Sequence, residues 1–201
     1  MRYHLSEMVA PRTTPATYAD LEALGADARA EIIHGAIVEK ASPSAEHGES
    51  QLSLGGALIR RFQRRPGGRW PGGWWLGTEI EVQYETHEIY LHDLVGWRRD
   101  RITQRPTGRP VRARPDWACE LISPSNAKRD LIDKFGVLHT NGLPHYWIAD
   151  PVEQTLIVHR WEARGYLVVL TAAAGDVVRA EPFDAAELRV STLFGVEDDD
   201  E

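Results

Sequence analysis

Residues 116–151 constrain the fold more than any other part of the chain, because their pattern predicts a strand, a helix and a second strand in succession. Residues 117–122 alternate between two faces, so Glu120 is a carboxylate on an otherwise apolar strand. The predicted helix ends at Gly142, which can adopt the left-handed conformation that closes many helices. The apolar run over residues 146–149 predicts the second strand, which should be buried.

Caps, alternation and turn residues predict the remaining elements. In chain order they are a short helix from Thr17 to Gly25, a hairpin or bent strand over 30–39, a helix that opens at His47, strands over 79–84 and 88–97, a long polar loop over 98–115, and a hairpin over 155–171. Strands and helices are mixed along the chain, so the fold class is α/β or α+β.

The 201 residues, 42% of them hydrophobic, suffice for one packed domain. We predict a loose lead-in over 1–16, one domain over 17–196 and an acidic, disordered tail over 197–201. The chain has no apolar run of about 18 residues and no signal-peptide pattern, so we expect a cytoplasmic protein without a membrane partner. The single cysteine, Cys119, excludes an internal disulfide and is expected to be a buried structural thiol.

The net charge of −7 argues against a polyanionic partner less strongly than it first suggests, because residues 197–201 carry five of the negative charges. Arginine supplies 20 of the 23 basic residues, and it is concentrated in residues 60–69 and 98–114. Clustered arginine can form a patch that faces phosphates. A solvated, arginine-rich surface explains the same pattern equally well.

Two acids interrupt apolar strands and are separated by one long loop. Asp93 lies between apolar residues on its predicted strand, and Glu120 lies on the next strand. Antiparallel pairing of these strands would bring the two carboxylates together, where they would repel each other unless they were protonated or bridged by a cation. Mg²⁺ is suited to such a site, because it binds a few carboxylates and retains waters. Asp93 could instead cap a turn.

Lys134 lies on the helix that follows Glu120, and its ammonium could stabilise negative charge that develops on a phosphodiester. Together with Asp93 and Glu120 it would form hydrolytic machinery. Lys134 also lies four residues after Asp130, so the two could simply form an ion pair on the helix surface.

Several ordered segments resemble the bacterial Uma-two (Uma2) family of endonucleases, in the PD-(D/E)XK superfamily. The resemblance covers roughly residues 17–195 and is carried by Glu31-Ile-Ile-His-Gly35, His92-Asp-Leu-Val-Gly-Trp-Arg-Arg99, Pro115-Asp-Trp-Ala-Cys-Glu-Leu-Ile-Ser-Pro-Ser125, Asp130 with Lys134, Gly142-Leu-Pro-His-Tyr-Trp-Ile-Ala-Asp-Pro151 and Arg179-Ala-Glu-Pro-Phe-Asp184. It implies a restriction-endonuclease-like core, which is a mixed sheet flanked by helices, here with extra antiparallel hairpins.

The resemblance also implies functional roles. Asp93 and Glu120 would be the catalytic acids and, with Glu31, the ligands of Mg²⁺ or Mn²⁺; Glu31 could equally belong to a structural ion pair. Lys134 would replace the lysine expected two residues after the second acid. The implied partner is DNA, and small nucleases of this superfamily often act as homodimers. We expect Arg98 and Arg99 to flank the acidic site, because a polyanion that reaches it needs positive charge at its rim. His47 matches a family histidine at a helix start and could bind phosphate or metal, or it could instead cap or pack that helix.

This chain departs from the family pattern in the residues around its acids. His92 replaces the usual proline before Asp93, and His34 stands where aspartate is common. Such changes could weaken metal binding or hydrolysis. We therefore keep a second hypothesis, a catalytically inactive nucleic-acid-binding or regulatory protein on the same fold.

Overall fold

The computed structural model describes residues 14–25, 27–123 and 128–196. The lead-in predicted over 1–16 lies outside these ranges except for its last three residues, and the tail predicted over 197–201 lies wholly outside them. Ala16 is fully buried and donates a backbone hydrogen bond of 2.8 Å to Gly35. No helix of the described residues is long and apolar enough to cross a membrane.

The described residues form ten strands, four α-helices and a π-helical turn. In chain order these are α1 (Tyr18–Glu22), β1 (Ala30–Ile33), β2 (Ala36–Glu39), α2 (Ala45–Phe62), β3 (Trp74–Glu85), β4 (Glu88–Arg98), β5 (Trp117–Leu121), the π-helical turn (Arg129–Asp133), α3 (Lys134–Thr140), β6 (His145–Asp150), β7 (Thr155–Glu162), β8 (Gly165–Ala173), β9 (Val177–Val178), β10 (Leu188–Arg189) and α4 (Val190–Leu193).

Strands β1 to β8 form one mixed sheet with the order β2-β1-β4-β5-β6-β7-β8, and β3 also pairs with β4. Strands β5 and β6 run parallel, as the intervening helical crossover requires, whereas the neighbouring pairs β4–β5 and β6–β7 are antiparallel. The predicted class is confirmed: the fold is α+β, with a mixed sheet flanked by helices and with the hairpins β1–β2 and β7–β8.

The two faces of β5 supply two separate cores, as its alternation predicts. Trp117, Cys119 and Leu121 belong to the apolar cluster that packs against α2, whereas Ala118 belongs to the cluster on the α3 side of the sheet. Glu120 shares the second face and is fully buried. The buried thiol of Cys119 agrees with its predicted structural role.

The start of the helix after β5 differs from the prediction. Ideal helical spacing predicts Leu131 on the core face with Phe135 and Leu138, but 39% of Leu131 is exposed, whereas Asp130 and Lys134 are buried. The π-helical turn explains the difference, because its wider i to i+5 spacing changes which side chains face the sheet. The interpretation of Asp130 and Lys134 as a surface ion pair is therefore wrong.

The edge of β4 that faces away from β3 is divided between two partners. Strand β1 pairs with it only at Ile89, and β5 pairs with it over residues 94–96. Residues 91–93 lie between these two pairings, in a break of the ladder. Buried backbone groups in such a break need other hydrogen-bond partners.

Gly142 and Gly136 provide a matched test of the turn that joins α3 to β6. Gly142 has φ +65°, whereas an added methyl group at Gly136, inside α3, would meet no atom within 4 Å. We expect Gly142→Ala to lower the free energy of unfolding by about 1 kcal/mol. Gly136→Ala should raise it by about 0.5–1 kcal/mol. Urea unfolding measures both changes. A loss of stability in Gly136→Ala would contradict the placement of Gly136 inside α3 with open space around it.

Candidate functional site

Side chains take the place of strand partners in the break along β4. The Leu91 amide donates a 2.9 Å hydrogen bond to Glu31 Oε1, and the Leu91 carbonyl accepts one of 2.6 Å from Lys40 Nζ. The Leu121 amide donates a 2.8 Å hydrogen bond to Asp93 Oδ2. Ionisable side chains thus complete the backbone hydrogen bonding at the centre of the sheet.

Asp93 and Glu120 lie on the paired strands β4 and β5 and share one cation. Lys40 Nζ lies 2.7 Å from Asp93 Oδ1 and 3.4 Å from Glu120 Oε2. Both carboxylates are fully buried, and Lys40 is 8% exposed. A single ammonium therefore relieves the repulsion that two close carboxylates would otherwise suffer.

Lys134 lies deeper and is surrounded by three carboxylates. Its Nζ is 2.6 Å from Glu31 Oε1, 2.9 Å from Asp130 Oδ1 and 3.4 Å from Glu120 Oε1. The residue is 0% exposed. The structure thus brings Lys134 to the acidic pair, as expected, but directs its ammonium at carboxylates rather than at an open cleft.

Two histidines contact the acidic pair. His92 Nδ1 lies 2.6 Å from Glu120 Oε1, and its Nε2 lies 2.8 Å from the Tyr84 hydroxyl. Burial and the nearby Lys134 lower the pKa of His92 to about 3, so the ring is neutral at pH 7. A neutral ring can donate through Nδ1 to Glu120 Oε1 and accept the hydroxyl hydrogen at Nε2.

His47 enters the site from the first turn of α2. The Ser44 side chain caps this helix by accepting a hydrogen bond from the backbone N–H of His47, which fixes the position of His47 in the first turn. Its Nε2 lies 3.6 Å from Asp93 Oδ1. The ring is therefore next to the acidic pair.

Opposing effects act on the carboxylates that have the closest lysines. Burial would raise the pKa of Asp93, but Lys40, together with a contribution from His47, lowers it below its usual range. Burial would likewise raise the pKa of Glu31, and Lys134 and Lys40 reverse that effect. Asp93 and Glu31 are therefore ionised at neutral pH.

Burial prevails at the other two carboxylates. It raises the pKa of Glu120 to about 7, although Lys134 and Lys40 oppose it. It also raises the pKa of Asp130 to about 7, again against the effect of Lys134. Near pH 7, Glu120 and Asp130 are therefore each close to the midpoint between the protonated and the ionised form.

A basic cavity of about 160 Å³ opens next to this cluster. Lys40 and His47, which contact Asp93, form part of its wall. Arg129 also lines it and lies 3.4 Å from Glu31 Oε2. Further lining side chains include Arg29, Ser44 and Ser123. Access to the buried acids from this side thus passes basic and hydroxyl groups, which suits an anionic ligand.

The structure does not bring Arg98 and Arg99 to the acidic cluster. Arg98 pairs with Asp100, and Arg99 stacks 3.6 Å above the Trp75 ring. Arg98 lies five residues beyond Asp93 on β4, a distance of about 17 Å at the usual rise of a strand. The expectation that these two arginines flank the acids is therefore wrong.

Glu81, which alternation places on the polar face of the strand predicted over 79–84, is a further candidate acid, but it pairs away from the cluster. Its Oε1 is 2.7 Å from Arg109 Nη2 in a separate ion pair.

Sequence reasoning missed Lys40, whose ammonium contacts both acids. Lys40 follows a short edge strand, and it is 53 residues from Asp93 and 80 from Glu120 in the chain. One signal could have identified it, because the chain has 20 arginines and only three lysines. Lysine carries a compact point charge on a flexible stem, so each of the few lysines in an arginine-rich chain is a candidate for a specific role.

Fold and site together define a restriction-endonuclease-like protein: a mixed sheet flanked by helices, with a buried acidic pair on neighbouring central strands. The model of the Uma2 family, described as "Putative restriction endonuclease", matches residues 15–191. The chain therefore belongs to the Uma2 family, and membership supports nuclease function.

A solved structure has a similar fold. It is the crystal structure of a "putative nuclease belonging to DUF820" from Anabaena variabilis ATCC 29413, which aligns with a TM-score of 0.65 over 90% of this chain and 98% of that one. The sequences are 21% identical, so this similarity bears on the fold alone. No curated protein sequence is significantly similar to the chain.

Replacing Lys134 with methionine should strongly destabilise the fold. Methionine retains much of the length but removes the charge that compensates three buried carboxylates, a loss of about 3–5 kcal/mol for a broken buried ion pair. Lys128→Met is the matched control, because Lys128 is exposed and its replacement should change stability by less than about 0.5 kcal/mol. Equal unfolding midpoints for the two variants in urea would contradict the central role of Lys134.

Proposed function

We propose that the protein is a divalent-metal-dependent endonuclease that hydrolyses phosphodiester bonds in DNA. The observation that carries this proposal is the pair Asp93 and Glu120, buried on neighbouring strands, bridged by a single cationic group and bordered by a basic cavity. Membership of the Uma2 family supports the same class of reaction.

The donor chemistry of the acidic pair fits Mg²⁺ or Mn²⁺. Two carboxylates converge on one cation, Lys40 Nζ, so their oxygens already define a place where positive charge is required. Among the described residues, no group of three or more histidine, cysteine or acidic side chains is arranged to hold a metal. Mg²⁺ does not need one, because it is commonly bound through one or two carboxylates and retains several waters.

In this proposal Asp93 and Glu120 hold the metal, which would polarise the phosphodiester and activate the attacking water. The other residues prepare the site. His92 orients Glu120 through its 2.6 Å contact, and the Leu121 amide orients Asp93. Arg29 and Arg129 line the cavity, where they can bind the phosphate oxygens of the strand.

Lys134 and Glu31 receive different roles from those expected from the sequence. Lys134 is enclosed by carboxylates, so we assign it to positioning Glu120 rather than to contacting the substrate. Both oxygens of Glu31 already have nitrogen partners, Lys134 and Leu91 at Oε1 and Arg129 at Oε2. We therefore assign Glu31 to anchoring Lys134 rather than to ligating the metal.

Cleavage of plasmid and linear DNA tests the proposal directly. We expect hydrolysis with Mg²⁺ or Mn²⁺ and none with EDTA. Asp93→Asn and Glu120→Gln should abolish it, because each retains shape but loses a negative charge that the metal requires. Glu81→Gln is the control, since it makes the same change in a buried carboxylate that pairs with Arg109.

Two results would count against this function. Cleavage that survives in both Asp93→Asn and Glu120→Gln would remove these acids from the chemistry. Metal-independent DNA binding by the wild type without any cleavage would instead support the second hypothesis, a nucleic-acid-binding protein that has lost hydrolysis.

DNA binding should depend on the cavity rather than on Arg98 and Arg99 at the end of β4. Arg129→Ala removes a cation that lines the cavity, so it should weaken binding and reduce the salt slope by about one unit. Arg98→Ala should leave the slope unchanged, because Arg98 lies five residues along β4 from Asp93, about 17 Å from the acidic pair at the usual rise of a strand. Fluorescence anisotropy across a salt series measures both, and a larger effect of Arg98→Ala would reverse the assignment.

A further inference from the structure

Lys40 differs from Lys134 in its access to the cavity. Lys134 is 0% exposed, whereas Lys40 is 8% exposed and lines the basic cavity as well as bridging the acids. Lys40 is thus the lysine of the acidic cluster that both bridges the two proposed metal ligands and lines the cavity.

Lys40 and a metal ion compete for the same oxygens. Asp93 Oδ1 and Glu120 Oε2 both face Lys40 Nζ. A divalent cation bound by these oxygens would place a second positive charge within a few ångströms of the ammonium, where the two would repel. Lys40 must therefore leave its position when a cation binds between Asp93 and Glu120.

The displaced ammonium can move into the cavity, but only if an anion is bound there. Its wall already contains Arg29, which pairs with Glu79 at 2.9 Å, and Arg129, which lies 3.4 Å from Glu31 Oε2, so a third cation there would raise the local positive charge. A bound phosphate group removes this penalty, because its negative charge compensates the added ammonium. The flexible stem of lysine, with three donors at its end, suits such a move.

We propose that the cavity is a phosphate-binding site and that Lys40 couples it to the metal site. Without metal, Lys40 neutralises Asp93 and Glu120; with metal, Lys40 moves into the cavity and binds a backbone phosphate of the nucleic-acid strand. This inference rests on the proposed metal-dependent function, and it adds that metal and phosphate strengthen each other's binding. Such coupling is reciprocal by thermodynamic necessity.

Calorimetric titration of Mn²⁺ tests the coupling without measuring cleavage. Wild type is titrated in sodium sulfate, a tetrahedral oxyanion, and in sodium chloride at matched ionic strength. We expect sulfate to tighten Mn²⁺ binding by about fivefold or more, within the usual range of coupling between sites. This comparison needs no variant, and an unchanged affinity would overturn the proposal.

Lys40→Met removes the competing charge while retaining much of the side-chain length. We expect it to bind Mn²⁺ at least about tenfold more tightly than wild type in chloride, with little further effect of sulfate, because the coupling residue is gone. Lys128→Met, which loses the same charge at an exposed position, should behave as wild type. Equal Mn²⁺ affinity in Lys40→Met and Lys128→Met would overturn the role of Lys40.

The outcomes separate this inference from the proposed function. If all three proteins bind Mn²⁺ with the same affinity in both salts, the role of Lys40 fails and the metal site stands. If none binds Mn²⁺, both fail. A short phosphorothioate DNA duplex, which resists hydrolysis, replaces sulfate in a final titration; tightening by sulfate but not by the duplex would overturn the assignment of the cavity to backbone phosphate.

Discussion

The buried ion pairs in the break of the β4 edge are the interaction on which the rest of the structure depends. The sheet is interrupted between β1 and β5, and the carboxylates of Glu31 and Asp93 accept the amide hydrogens that strand partners would otherwise take. Buried carboxylates are costly unless cations and hydrogen bonds compensate them. Lys40 and Lys134 supply the cations. The same ion-paired side chains therefore keep the sheet continuous and balance the charge of the site.

The sequence disclosed the two acids and Lys134 but not Lys40, and the difference lies in their sequence context. A strand has two faces, so a carboxylate among apolar residues, such as Glu120, is conspicuous within a window of five residues. Lys40 has no such context, because its partners are 53 and 80 residues away. The π-helical turn was equally hidden: ideal helical spacing placed Leu131 in the core, and only the structure reveals the register that turns Lys134 inward.

The arginines show why clustering in the sequence does not predict a functional surface. Residues 98–114 are rich in arginine, yet several of these side chains hold the loop itself: Arg101 pairs with Asp116, Arg109 with Glu81, and Arg99 stacks on Trp75. The basic cavity is assembled instead from distant segments, which contribute Arg29, Lys40, His47 and Arg129. Its residues are scattered because the break that they surround is where β1, β4 and β5 meet.

In the function proposed above, the two lysines would resolve a conflict that a metal-binding acidic site creates. The fold must be stable before metal binds, which requires permanent compensation of buried carboxylates, yet the ligand oxygens must be released when metal arrives. A single enclosed lysine could meet only the first demand. Lys134, in contact with Glu31, Glu120 and Asp130, is suited to it. Lys40 lies at the boundary between cluster and cavity, where its charge can stabilise the metal-free protein and still be withdrawn.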